Sequence, residues 1–161
     1  MIFCYLKDNS SLYDEFSAGI ILVNNVSDHS REEILLLRHT AGHWDFPKGN
    51  IEQGETELDS AIRELMEETG ITRFRIMPNF RYAITYRYRR NQRIILKKVT
   101  LFLGTTDLKI VTLSNEHIDY KWEYIDKAYE IVKYKNTKRS LANVKNFLQN
   151  EITRVIFYRH L

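Results

Sequence analysis

Gly49-Asn50-Ile51-Glu52-Gln53-Gly54-Glu55-Thr56-Glu57-Leu58-Asp59-Ser60-Ala61-Ile62-Arg63-Glu64-Leu65-Met66-Glu67-Glu68-Thr69-Gly70-Ile71 is the stretch whose reading decides the fold. Thr56 is a good N-cap, Asp59 stands three residues on as a capping-box partner, and Gly70 suits a left-handed C-terminal stop. Together they predict a helix from Thr56 to Thr69. Leu58, Ala61, Ile62, Leu65 and Thr69 follow helical spacing and give it an apolar stripe. Glu64, Glu67 and Glu68 stand at i, i+3 and i+4, so at about 100° per residue they share one side, with Glu57 two turns earlier. Carboxylates crowded in this way repel unless a cation neutralises them, and oxygen-only ligands suit Mg²⁺ or Mn²⁺. Taken alone, three glutamates fit equally a solvated acidic face with Arg63 as an intrahelical partner.

Upstream, Ser17 to Val23 is small and β-branched, and after the polar stretch 24–31 comes Ile34-Leu35-Leu36-Leu37, which predicts two paired strands. A third extended piece runs through Trp44 and Phe46 into Pro47, and Lys48-Gly49-Asn50 is expected to turn the chain. Downstream, Tyr82, Ile84, Tyr86 and Tyr88 alternate with Ala83, Thr85 and Arg87, and a second run extends from Ile94 to Leu103. With Arg89-Arg90-Asn91-Gln92 between them, these predict a β-hairpin. Tyr120 to Tyr124 reads as a short strand, and Asp126 as the N-cap of a helix over 127–132. Leu141, Val144, Leu148, Ile152 and Val155 predict a C-terminal helix over about 138–157, with a strand as the alternative for Val155 to Tyr158. Strands in two blocks, interrupted by one helix and closed by another, argue for an α+β domain with a central mixed sheet between helices.

At 161 residues, 43% hydrophobic and 28% charged, the chain is expected to form a single globular domain over 1–161, with 1–16 as its N-terminal segment. The net charge of +3 decides little, but its distribution is informative. Acidic residues crowd between Glu52 and Glu68 and basic ones between Arg73 and Lys98, which suits a metal site facing a phosphate site. Cys4 stands alone, so neither an intramolecular disulfide nor a cysteine zinc cluster is expected. Met1 to Leu6 lacks a basic flank, and nowhere do about 18 apolar residues run together. A cytoplasmic monomer without a membrane span is the expectation.

The quoted stretch resembles a complete Nudix box: Gly49, five residues, Glu55, seven residues, Arg63-Glu64, an aliphatic Leu65, any residue, Glu67-Glu68, any residue, Gly70 and the aliphatic Ile71. The resemblance implies an α/β/α Nudix sandwich and metal-dependent hydrolysis of a phosphoanhydride bond in a nucleotide. It implies that Gly49 offers a carbonyl to metal, that Glu67 and Glu68 are direct ligands, that Glu64 holds or deprotonates water, and that Arg63 pairs with Glu55 to fix the loop.

Over about 17–150 the chain resembles the asymmetrical diadenosine tetraphosphate hydrolase branch, through Ser17-Ala18-Gly19, the run His43-Trp44-Asp45-Phe46-Pro47-Lys48-Gly49, and Ser114-Asn115-Glu116-His117 before Tyr120 and Trp122. That likeness implies cleavage of diadenosine tetraphosphate to ATP and AMP. His43, Lys48 and Lys97 would contact phosphates, Glu116 would add a carboxylate for metal or base work, and Tyr86 and Tyr134 would clamp a base. From the residues alone, Tyr86 fits a cross-strand position equally, and Lys97 and Tyr134 fit a solvated surface. Asn50 and Gly42 stand where the branch often has histidine, which bears on fine substrate choice. The basic, tyrosine-rich hairpin with Arg87, Arg89, Arg90 and Arg93 keeps a second substrate in view, the 5′ end of RNA. Outside the enzyme class, the alternative is a binding module that senses nucleotide or RNA.

Overall fold

The computed structural model describes residues 12–24 and 32–158. The expected N-terminal segment up to residue 11, the polar residues 25–31, and the side chains of Ile152 and Val155 lie outside the described residues.

Ser17 to Asn24 is buried throughout, as befits a strand covered on both faces. This strand, β1 (Glu15–Asn24), pairs in parallel with β6 (Arg93–Thr106) from Glu15↔Lys97 to Asn24↔Thr106, and β6 pairs antiparallel with β5 (Arg75–Arg90). On its other edge β1 meets β2 (Glu33–His39) only at Val23↔Ile34 and Asn24↔Glu33. The two strands then diverge, and the chain fills the wedge with two short strands. β3 (Trp44–Asp45) pairs with β2, and β4 (Lys48–Asn50) pairs antiparallel with Ser17 to Gly19 of β1. The expected turn at 48–50 is therefore a strand, because the backbone of β1 is left open there once β2 has splayed away. β7 (His117–Tyr124) completes the seven-stranded mixed sheet on the far side of β2.

Helix α1 (Glu57–Thr69) has both predicted ends. Thr56 Oγ1 accepts from the Asp59 amide, the Thr56 amide donates to Asp59, and Gly70 stops the helix at φ 68°. Its Ala61 and Leu65 pack with Ala18, Ile20, Leu22, Leu35 and Leu37 on one sheet face. The other face carries Ile21, Val23, Val99, Leu101 and Leu103, covered by Ala128 of α2 (Ile125–Ile131) and by Leu141, Val144 and Leu148 of α3 (Lys135–Tyr158). The predicted α/β/α sandwich is thus the observed one. Among the described residues no helix is long and apolar enough to cross a membrane.

Three local expectations change. Asp126 does not cap α2, which starts two residues earlier than expected, at Ile125, without a side-chain cap; its carboxylate pairs with Lys145 of α3 instead. Helix α3 starts at Lys135 rather than 138, since Asn136 Nδ2 donates to the Thr85 carbonyl and moors its first turn to β5. Its backbone stays helical through 158, which removes the strand alternative there. The hairpin turn tightens to Asn91-Gln92, both with positive φ (47° and 65°), the backbone that matches strand twist in a two-residue loop.

The wedge closes tightly at one point. A Cβ on Gly19 would stand 2.4 Å from both the Pro47 carbonyl oxygen and Lys48 Cβ. Gly19→Ala should therefore push β4 off β1 and cost about 1–3 kcal/mol, read as a lower denaturant midpoint with unchanged slope. An unchanged midpoint would show that β4 is not held by this contact.

Candidate active site

Strand alternation in β4 builds two compartments from three residues. Lys48 and Asn50 point to the sheet face covered by α3, while Gly49 points to the face covered by α1. There the Glu64 carboxylate lies directly on Gly49: a Cβ at that position would fall 2.0 Å from its carboxyl carbon. Arg63 is the hub of the acidic group. Its guanidinium grips Glu55 through Nε and Nη2 at 2.6 and 3.0 Å, and reaches Glu64 at 2.8 Å and Glu67 at 3.0 Å through Nη1. Nη2 also donates to the Asn50 carbonyl at 3.0 Å, so Arg63 ties loop, strand and helix together. Bonds from Arg63 and from the Glu52 amide hold the Glu55 carboxyl down to about 2.

Glu68 is the buried member of the group. It accepts from the Lys48 amide at 3.0 Å and lies 3.8 Å from His117 Nε2. Burial, opposed by Lys48 and reinforced by the charges of Glu64 and Glu116, pushes its carboxyl up to about 8. Burial also raises Glu64, with Arg63 opposing and Glu67 and Glu116 adding to the rise. Glu116 is exposed, but its loop is fixed: the Ser114 amide donates to the Glu68 carbonyl, Thr112 to Thr69, and Thr40 to the Glu116 carbonyl. Glu67 is 60% exposed. Among the described residues no three His, Cys, Asp or Glu side chains converge closely enough to grip a metal as they stand. Glu64 and Glu67 are turned to Arg63.

On the α3 side lies a cleft of about 570 Å³, and His43, Lys48, Tyr86, Lys97 and Tyr134 all line it. Lys48 Nζ sits 3.0 Å from Asp45. Burial acts to lower that ammonium's pKa, but Asp45, with Tyr86 and Glu68, outweighs it and the net shift is upward. His43 stacks on His39 at 5.1 Å and meets Tyr134 edge-on at 5.4 Å. Burial lowers its pKa, Asp45 opposes, and His39 and Lys48 add to the lowering, so the ring is mostly neutral at pH 7. Lys97 donates to Asn50 Oδ1 at 2.9 Å and lies 3.5 Å from Glu15; burial lowers it, and Glu15 opposes.

Residues 15–144, which contain both compartments, match the model of the NUDIX domain. The chain belongs to the Nudix family. Nudix hydrolases act on nucleotide substrates and generally use divalent metal ions. The chain is 32% identical over 126 residues to the mouse bis(5′-nucleosyl)-tetraphosphatase [asymmetrical], covering 75% of this chain and 84% of that protein. It is 34% identical over 130 residues to an RNA pyrophosphohydrolase of Sulfurovum, covering 78% and 81%. In structure it matches a C. elegans Ap4A hydrolase binary complex with a TM-score of 0.75 and 28% identity, over 84% of this chain and 98% of that one.

Within this Nudix hydrolase, the box carboxylates gather around Arg63 and Glu68, the five cleft residues meet on the other side, and Lys48 belongs to both groups. Gly70 stands apart as the helix stop. Sequence reading passed over Asp45, whose i, i+3 spacing to Lys48 was the available signal, and noted Asn50 only as a departure bearing on substrate choice, not as the residue that joins Ser17, Lys97 and Arg63. It also missed Glu15, which accepts from the Tyr88 hydroxyl at 2.8 Å and pairs with Arg90 at 2.7 Å. No local pattern announces Glu15, because only the parallel pairing with β6 brings it there.

The Glu68 shift has a measurable sign. With a pKa near 8 folded against 4.5 in the unfolded chain, Glu68 binds more protons in the native state, so it lowers stability progressively as pH rises from about 4.5 to 8. In EDTA, the stability of Glu68→Gln minus that of the native chain should grow by a few kcal/mol between pH 5 and 8. A pH-independent difference by denaturant titration would show that the carboxyl is not raised.

Proposed function

We propose that this Nudix hydrolase cleaves a dinucleoside polyphosphate, with diadenosine tetraphosphate giving ATP and AMP. The observation that carries the reading is the junction at Lys48, where a cleft lined by three lysines (Lys48, Lys97, Lys135) and three tyrosines (Tyr86, Tyr88, Tyr134) opens beside the glutamate group. The volume lies within the usual range for small-molecule sites, about 300–1,000 Å³. The likeness to asymmetrical tetraphosphatases supports the same substrate class.

The donor set fits a hard divalent ion. The Gly49 carbonyl, Glu64, Glu67, Glu68 and Glu116 offer oxygen alone, and Glu64 and Glu68, raised first by burial and then by neighbouring carboxylates, are groups that a bound cation would help to keep ionised. Bound there, Mg²⁺ or Mn²⁺ would neutralise phosphate oxygens and make water a stronger acid. Glu64 takes the proton of the attacking water, whose oxygen bonds to one phosphorus as the bridging oxygen leaves with the other fragment. Lys48 and Lys97 hold the phosphate chain. Tyr86 and Tyr134 flank a base, and neutral His43 donates a hydrogen bond without adding charge. Arg63 positions Glu55 and Glu64 and does not meet substrate.

A second reading, removal of pyrophosphate from 5′-triphosphorylated RNA, is favoured by the arginines of the hairpin and by the RNA pyrophosphohydrolase relative. Ion-exchange analysis of products, with both substrates run in Mg²⁺ and in EDTA, distinguishes them. Equal ATP and AMP from diadenosine tetraphosphate, in Mg²⁺ only and with RNA intact, is the expected result. Release of pyrophosphate from RNA alone would replace the first reading with the second. Glu67→Gln should lose more than the roughly 10–100-fold typical of groups behind the ligands, without lowering the melting temperature. Tyr134→Ala should raise KM roughly tenfold while kcat stays within about twofold, as loss of a stacking contact predicts.

A further inference from the structure

The β5–β6 hairpin outruns the sheet. Parallel pairing with β1 starts at Glu15↔Lys97, and Asp14 adds a last bond to Leu96, so among the described residues 87–95 has no third strand beside it. A two-stranded ribbon is marginal by itself, and this one carries Arg87, Arg89, Arg90 and Arg93 with no acidic residue. Arg90 and Arg93 face each other directly across the strands, where like charges destabilise. Glu15 neutralises Arg90. Arg89 and Arg93 are exposed and form no ion pair among the described residues.

The position of this arm matters as much as its charge. On the cleft face the ladder runs from Tyr86 to Tyr88, whose rings lie 6.3 Å apart, and on to Arg90 and Arg93. From Tyr86 to Arg90 is about 13 Å along the strand. Stacking rings followed by guanidinia are what a single strand of nucleic acid needs: π-faces for unpaired bases and cations for successive phosphates. Arginines also protect exposed strand edges from pairing. That role alone would produce no bound polyanion.

We propose that the arm at residues 87–95 binds single-stranded RNA that wraps the tip of the ribbon, with bases along Tyr88, one backbone phosphate held by Arg93 on the same face and another by Arg89 on the opposite face. Arg89 and Arg93 are not among the residues that line the cleft, so the proposal holds whether or not dinucleoside polyphosphate is the substrate. The test is fluorescence anisotropy of a 3′-labelled 12-nucleotide single-stranded RNA with the full chain in EDTA, titrated at several salt concentrations. Binding should weaken steeply with salt. Arg89→Gln/Arg93→Gln should flatten the plot of log K against log salt by about 1.4, two phosphate contacts' worth, whereas Arg89→Lys/Arg93→Lys should keep the native slope. Coincident thermal melts of the three proteins show that the ribbon is intact. The proposal is overturned if the native chain does not bind, if the glutamine variant keeps the native slope, or if a poly-glutamate peptide displaces RNA at equal charge concentration, which would assign the arm to an acidic protein partner.

Discussion

Where Gly19 passes under Pro47 and Lys48, two backbones come closer than any side chain would permit, and both halves of the site depend on that approach. Because β4 lies flat on β1 there, its alternation is enforced: Lys48 and Asn50 face the cleft, and Gly49 faces the helix. A coil at this point would let the three residues choose their directions. A strand of three residues, pinned at Ser17↔Asn50, Ala18↔Gly49 and Gly19↔Lys48, does not. The amide of Lys48 is thereby aimed at Glu68 while its ammonium enters the opposite compartment.

Electrostatics then divides the labour. One guanidinium serves three glutamates and a carbonyl, which is more acceptor than one cation can satisfy by charge. Burial above all, with the neighbouring carboxylates adding to it, makes Glu64 and Glu68 hold their protons more tightly than free glutamates. Across the strand the charges are matched, with Lys48 beside Asp45 and Lys97 beside Glu15 and Asn50. A divalent ion on the glutamate side would offset the excess of carboxylate there.

How much of this was legible depended on how local its cause was. Helix α1 carries both ends in its own residues, Thr56 with Asp59 and Gly70, so sequence and structure agree. The hairpin likewise declares itself through alternation on either side of Arg89-Arg90-Asn91-Gln92, although only the structure narrows the turn to its last two residues. β4 was hidden because Lys48-Gly49-Asn50 has no strand signal of its own and is extended only because β2 leaves the edge of β1 open. Asp126 misled because a good capping residue found a better partner in Lys145 on another helix. The cleft was readable as separate residues through family likeness, but the meeting of Tyr134 with His43 required the first turn of α3 to be moored to Thr85, a bond between residues 51 positions apart.

The parallel pairing of β1 with β6 also governs the order in which the molecule can be assembled. Glu15 and Lys97 are neighbours in space but 82 positions apart in the chain, so this ladder closes only after a long segment has been gathered in. Contacts of that range make folding slow compared with helical proteins of similar size. As the chain emerges from the ribosome, β1, β4 and α1 are available to one another well before β6 exists. The carboxylate side of the site therefore belongs to an early half-sheet, and the cleft side to a late one. In the interval β1, the most apolar strand of the molecule, shows an open edge, which makes it the segment most exposed to association with other chains during synthesis.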